Sequence, residues 1–164
     1  MVVVGTSDED FFLSRRNFLA VLHGTTDEIR SDLASRPDTV ERINYDRNIN
    51  GRVTALGLDG NDSFVSDDNS SIMTLDGGYG DDDFQFGQLF GVDPIAGNSG
   101  IAAGDTIDTV LTTRGFLSGG ITFATVAFGG AGNDRFTVYS NRAQVKLEGE
   151  AGNDDFMPLR LVYR

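Results

Sequence analysis

The sequence has no cysteine and a single histidine. Without cysteine there is neither a disulfide framework nor a thiolate metal centre, an absence that suits a cytosolic protein or a bacterial secreted one. The histidine, His23, stands outside the repeats described below and reads as a core or surface residue rather than a catalytic one. Basic residues are scarce, 13 Lys and Arg against 25 Asp and Glu, for a net charge of −12. That balance argues against nucleic acid or anionic lipid as a partner and favours cations or a solvated acidic surface. No apolar run approaches the roughly 20 residues of a membrane span. The opening Met1-Val2-Val3-Val4-Gly5 is too short for a signal peptide and reads as a strand, so any export signal is expected outside this chain or already removed.

What the sequence does contain is a repeat. Gly57-Leu58-Asp59-Gly60-Asn61-Asp62-Ser63-Phe64 returns 20 residues later as Gly77-Gly78-Tyr79-Gly80-Asp81-Asp82-Asp83-Phe84. Gly129-Gly130-Ala131-Gly132-Asn133-Asp134-Arg135-Phe136 returns, again after 20 residues, as Gly149-Glu150-Ala151-Gly152-Asn153-Asp154-Asp155-Phe156. Four glycine loops closing on Asp-x-Phe outrank other signals in a chain of this length. Worn copies are read at Gly5 to Phe12, with Asp10 at the aspartate position, and at Ala103 to Ile107, with Asp105 there. The 164 residues suit a single module, and 39% hydrophobic content with 12 Phe can fill a sheet interior.

Between loops the pattern is strand, polar turn, strand: Val53 to Leu58, Phe64 to Ser66, Ile72 to Leu75, Phe136 to Tyr139 and Gln144 to Glu148. Phe11 to Ser14, Val40 to Tyr45, Thr109 to Thr113, Thr122 to Phe128 and Phe156 to Tyr163 read as further strands. Residues 17–36 are expected to be a helical insertion, with Thr25-Thr26-Asp27-Glu28 as N-cap and first turn and Pro37 closing it. Residues 85–113 read as an excursion between the two pairs of loops. Two strands of about 5 residues and two turns fill one 20-residue circuit. If circuits pair in parallel about 4.8 Å apart, equivalent residues superpose. Phe64 then stacks on Phe84 and Phe136 on Phe156. Thr125 and Ala127 are small for their positions, which predicts a bulge or shifted register there.

Superposition also brings Asp62 to Asp82 and Asp134 to Asp154. Two carboxylates about 5 Å apart repel by roughly 3 kcal/mol at an effective dielectric near 20. A hard cation relieves this, and Ca²⁺ accepts carboxylate and carbonyl oxygens alike. Asn61, Asn133 and Asn153 suit a left-handed position before each aspartate.

The loops resemble the glycine-rich nonapeptide G-G-x-G-x-D-x-U-x of the RTX, or haemolysin-type, calcium-binding proteins. Gly77 to Gln85 and Gly129 to Thr137 match every defined position, whereas Leu58 and Glu150 replace the second glycine in the other two. The resemblance implies Ca²⁺ between successive turns, held by Asp62, Asp82, Asp134 and Asp154, with Asp10 and Asp105 as further ligands. Carbonyls of the turns around Gly57, Gly60, Gly77, Gly80, Gly129, Gly132, Gly149 and Gly152 would join them. One loop per circuit, rather than two, points to a broader parallel β-helix or β-roll-like solenoid of about 20-residue coils, all-β apart from the helical insertion.

The expected function is a calcium-stabilised, non-enzymatic module of a large extracellular bacterial protein, of adhesin or surface-spacer type. A second reading is the subunit of an extracellular fibre, in which the last strand pairs with the start of the next copy. A hydrolase is the third, without motif support: Ser118 lacks a nucleophile-elbow context. Asp59 to Asp62 is not an EF-hand loop, since position six has no Gly and position twelve no Glu.

Overall fold

A computed structural model describes residues 1–23, 40–94 and 106–159. The strands are β1 (Val2–Val4), β2 (Asp10–Arg15), β3 (Phe18–His23), β4 (Val40–Asn44), β5 (Val53–Asp59), β6 (Ser63–Ser66), β7 (Met73–Tyr79), β8 (Asp83–Phe86), β9 (Leu89–Phe90), β10 (Thr109–Thr112), β11 (Gly115–Ser118), β12 (Thr125–Ala131), β13 (Arg135–Val138), β14 (Val145–Ala151) and β15 (Asp155–Pro158). They form three sheets. The first, β1-β5-β7-β12-β14, is wholly parallel. The second, β15-β13-β8-β6-β2-β3-β4, is parallel from β15 to β2 and antiparallel through β3 and β4. The third, β10-β11-β9, is antiparallel.

The expected parallel solenoid with a helical insertion is therefore corrected. The architecture is β, with one parallel, one mixed and one antiparallel sheet, and no helix among the described residues. The insertion begins as strand β3, antiparallel to β2 across the two-residue turn Arg16-Asn17. The reason lies in Phe18-Leu19-Ala20-Val21-Leu22, apolar on both faces. Leu19 and Val21 enter the main core, while Phe18, Ala20 and Leu22 pack with Phe11 and Leu13 on the other side. A short continuous apolar run is what a strand buried on both faces requires. The cap at Thr25, the helix it was to start and Pro37 lie outside the described residues, as do Asp105 and the middle of the excursion. No helix among the described residues is long and apolar enough to cross a membrane.

The first two sheets are linked alternately by the glycine loops and by polar turns at the opposite strand ends. Inward positions of the first sheet are Val3, Val53, Ala55, Met73, Leu75 and Ala127; those of the second are Phe12, Phe64, Phe84, Phe86 and Phe136. The rings of Phe12, Phe64, Phe84, Phe136 and Phe156 form one column, with centroids 4.6 to 4.9 Å apart and planes within 9° of parallel. The strand spacing is thus carried through the interior by the aromatics. The expected shift at Thr125 and Ala127 does not occur: Thr125 pairs in register with Met73 and Val145, and Ala127 with Leu75 and Leu147. Backbone pairing on both sides holds the register.

Candidate functional site: a column of buried aspartates

Each glycine loop leaves the first sheet and re-enters the second with its aspartate directed inward. Asp10, Asp62, Asp82 and Asp134 are 1 to 2% exposed, which for carboxylates demands compensation. Half of it is backbone. The N–H of Asp10 donates to Oδ1 of Asp62 at 2.8 Å, that of Asp62 to Asp82 at 2.7 Å, that of Asp82 to Asp134 at 2.9 Å, and that of Asp134 to Asp154 at 3.0 Å. The five aspartates form one continuous ladder, in which every level passes its amide to the carboxylate of the next.

The second oxygen is not compensated. Oδ2 of Asp62, of Asp82 and of Asp134 is buried and has no hydrogen-bond partner. Each lies against the first glycine of its own loop, where a side chain could not be accommodated. A Cβ on Gly57, Gly77 or Gly129 would run into that Oδ2. The same Cβ would stand 2.5, 2.6 or 2.8 Å from the carbonyl oxygen of Gly77, Gly129 or Gly149, one level further on. A carboxylate oxygen and a carbonyl oxygen of the next level therefore flank one point, three times over. The later glycines of the loops, Gly60, Gly80, Gly132 and Gly152, have φ between 113° and 151°. Only glycine adopts this freely, and here the chain also passes directly over the carbonyl of the previous level.

Burial raises the pKa of Asp62 to about 7 and of Asp82 to about 8, and raises that of Asp134. The amide hydrogen bonds pull the other way, and neighbouring acids add to the rise: Asp10 and Glu9 at Asp62, Asp62, Asp134 and Asp81 at Asp82, and Asp154, Asp81 and Glu150 at Asp134. Among the described residues no lysine or arginine offsets any of the three. The nearby Arg135 is engaged on the outer surface, with Asp83.

The ends of the column differ from its middle. In the worn first loop, Oδ2 of Asp10 accepts from the N–H of Thr6 at 2.5 Å and from its Oγ at 3.1 Å. A threonine thus serves the oxygen that lacks a hydrogen-bond partner in Asp62, Asp82 and Asp134. Asp154, on the last level, is only partly buried.

A second ladder was missed from the sequence. Asn61, Asn133 and Asn153 are not left-handed; among the described residues only Leu58 and Glu150 are non-glycine residues with positive φ, at 87° and 70°. The residue before each aspartate is a hydrogen-bonding step instead. The N–H of Asp81 donates to Asn61 Oδ1 at 2.9 Å, that of Asn133 to Asp81 Oδ1 at 2.7 Å, and that of Asn153 to Asn133 Oδ1 at 3.1 Å. It runs opposite to the aspartate ladder. The signal was present: an Asn or Asp at this position in all four loops.

Elsewhere the chemistry is sparse. Ser118 is buried, and its Oγ accepts from the N–H of Gln88. Among the described residues no three carboxylates or histidines converge on one point. The column offers one carboxylate oxygen and neighbouring carbonyls at each level, an all-oxygen set suited to a hard cation. Compared with protein-family models, with curated proteins and with solved structures, the chain matches none.

Proposed function

We propose that this chain is a calcium-binding, calcium-stabilised structural module of a large extracellular bacterial protein, of adhesin or surface-spacer type, and is not an enzyme. The observation that carries the reading is the set of three buried, unpartnered Oδ2 atoms with no basic residue against them. A carboxylate in that state either holds a proton or needs a cation. Asp62, Asp82 and Asp134 would hold the ions, with the carbonyls of Gly77, Gly129 and Gly149 beside them and water completing the 6–8 oxygens that Ca²⁺ takes. Asp154 would complete the column as an outer ligand. Asp10 would hold none, since Thr6 already serves its second oxygen.

Bound calcium supplies charge neutralisation to the column. Because ions bind the folded state, they add to its stability by mass action. Extracellular modules work with dissociation constants of about 10⁻⁴ to 10⁻³ M, matched to calcium outside cells. The test is calorimetric titration with Ca²⁺ and then Mg²⁺, alongside melting curves in calcium and in chelator. We expect saturable heat with Ca²⁺, a weaker response to the smaller ion, and a lower melting temperature in chelator. No heat and superimposable melting curves would overturn the assignment.

A further inference from the structure

We propose that the outer face of the first sheet docks a partner protein, which seats an arginine side chain in the groove between Leu58 and Tyr79. The sheet is wholly parallel, and parallel sheets ordinarily have both faces covered. One face packs on the second sheet. On the other, Leu56, Asp76 and Phe128 are register partners in one row, and Leu58, Gly78 and Gly130 in the next. Solvated sheet faces are ordinarily polar, but across β5 and β12 this one carries Leu56, Leu58, Val126 and Phe128.

The first observation is Leu58. It stands where the next two levels have Gly78 and Gly130, with φ at 87° in the left-handed region. A bulky side chain is strained there, and this one is 43% exposed. Neither local conformation nor burial in the core accounts for a leucine at that position. What it does is wall a groove of about 250 Å³, whose other sides are Leu56, Asp59, Asp76, Gly78 and Tyr79. Gly78, lacking a side chain, keeps the groove open.

The second is Asp76. It is half-buried between Leu56 and Phe128, its neighbours on either side in the row. Desolvation raises its pKa, and among the described residues no hydrogen bond or ion pair holds its carboxylate. The nearby basic groups are engaged: Arg52 donates to Oγ of Thr74 at 2.9 Å and to the carbonyl of Met73 at 3.0 Å, and Lys146 pairs with Glu148. Asp59 adds a second negative charge at the rim, and the ring of Tyr79, 70% exposed, offers a π face.

Charge complementarity selects the occupant. An unpaired carboxylate in an apolar floor calls for a cation on an apolar stem. A guanidinium forks onto a carboxylate, stacks on an aromatic ring and is more weakly hydrated than an ammonium. The groove is smaller than the clefts of about 300–1,000 Å³ that enclose a free ligand, and the apolar face continues past it to Val126 and Phe128. One side chain fills the groove and its neighbours cover the rest, so the occupant is a polypeptide rather than a free amine. Asp62, Asp82 and Asp134 take no part, being buried between the sheets, so this docking and the calcium reading fail separately.

The probe is the blocked peptide Ser-Val-Arg-Val-Ser, titrated into the whole chain in calcium and followed by amide chemical shifts. We expect saturable binding, with shifts at Leu58, Asp76 and Tyr79 and none at Phe12. Glutamine in place of the peptide's arginine, or Asp76→Asn in the chain, should weaken binding about tenfold. Asp155→Asn, at an exposed acid of the second sheet, should leave it unchanged. Leu58→Gly should weaken binding severalfold while the melting temperature holds or rises, because the strained position then has the residue that suits it. Absence of binding, or binding indifferent to the arginine, would overturn the proposal. An equal loss in Asp155→Asn would do so as well, since net charge alone would then account for the binding. So would a Leu58→Gly chain that melts lower, because the leucine would then serve the fold. A dimer of the chain alone that Leu58→Gly dissociates would overturn it too, making the occupant a second copy.

Discussion

The two ends of the strands bury carboxylates in opposite ways. On the side of the polar turns, Asp67 is 2% exposed and burial pushes its pKa up, but Ser118, the chain's own cation Arg15 and the backbone at Gly120 oppose the rise. Arg15 is half-buried, its pKa lowered by desolvation while Asp67 and Asp68 pull it up. Arg16 pairs with Asp68 at 2.9 Å. The adjacent Asn69 is completely occupied: its Nδ2 donates to the carbonyls of Ser71 and Phe123, and its Oδ1 accepts from the N–H groups of Thr122 and Phe123. On the glycine side the acids recur level after level and no guanidinium arrives. One buried aspartate has an arginine acting on it, while three others have none among the described residues. The difference is the physical ground on which we propose cations at the glycine loops.

The largest expected effect tests the arginine side. Arg15→Met keeps much of the packing but removes the charge that acts on Asp67; with no direct ion pair to break, the cost should be about 3 kcal/mol, the lower end for an uncompensated buried charge. The loss should be the same in calcium and in chelator, read from denaturant midpoints under both conditions. A loss that calcium repairs would mean the two sides are not chemically distinct.

Next comes pH. The native pKa values of Asp62 and Asp82, about 7 and about 8, stand above the ordinary value of 3.8, so the folded state binds protons that the unfolded state has released. Their contribution is complete below about pH 4 and is lost as pH rises through 7 to 8. In chelator the melting temperature should therefore fall between pH 5 and pH 8. Calcium competes with those protons, so its affinity should rise over the same interval and flatten the fall. A chelated protein that becomes more stable toward pH 8 would contradict the burial of these acids. Asp82→Asn sharpens the same point: it removes a charge without a cavity and should abolish its own share of the calcium response. That share is about 2.7 kcal/mol when free calcium is a hundred times the dissociation constant.

How much of this was legible depended on repetition. The Phe64–Phe84 and Phe136–Phe156 contacts and the matching aspartate pairs follow from 20-residue spacing, because parallel strands convert a period in sequence into contact in space. The joins from Asp10 to Asp62 and from Asp82 to Asp134 span 52 residues and were not announced by it. Strand β3 was hidden, since Phe18 to Leu22 is too short and too uniformly apolar to declare a period, and the acidic cap at Thr25 drew the reading toward a helix. The role of Asn61 and Asn133 was obscured by their general liking for turns, although their side chains reach the neighbouring level instead. Arg15 was invisible as a counter-charge. Its partner Asp67 belongs to the next level, 52 residues away, across a hairpin that no spacing announces.

The smallest effect concerns the exception inside the column. Asp10 has the position and burial of Asp62 and Asp82, but Thr6 donates to its second oxygen twice. Thr6→Val removes the hydroxyl donor and keeps the shape, at a cost of about 1 kcal/mol in chelator. With the hydroxyl gone, Oδ2 of Asp10 comes nearer to the state of the three interior aspartates, and calcium should restore part of the lost stability. Melting curves of this variant with and without calcium measure that recovery. A loss that calcium leaves untouched would show that the first level cannot hold the ion even with its carboxylate buried, and that a glycine loop on either side is as necessary as the unpaired oxygen.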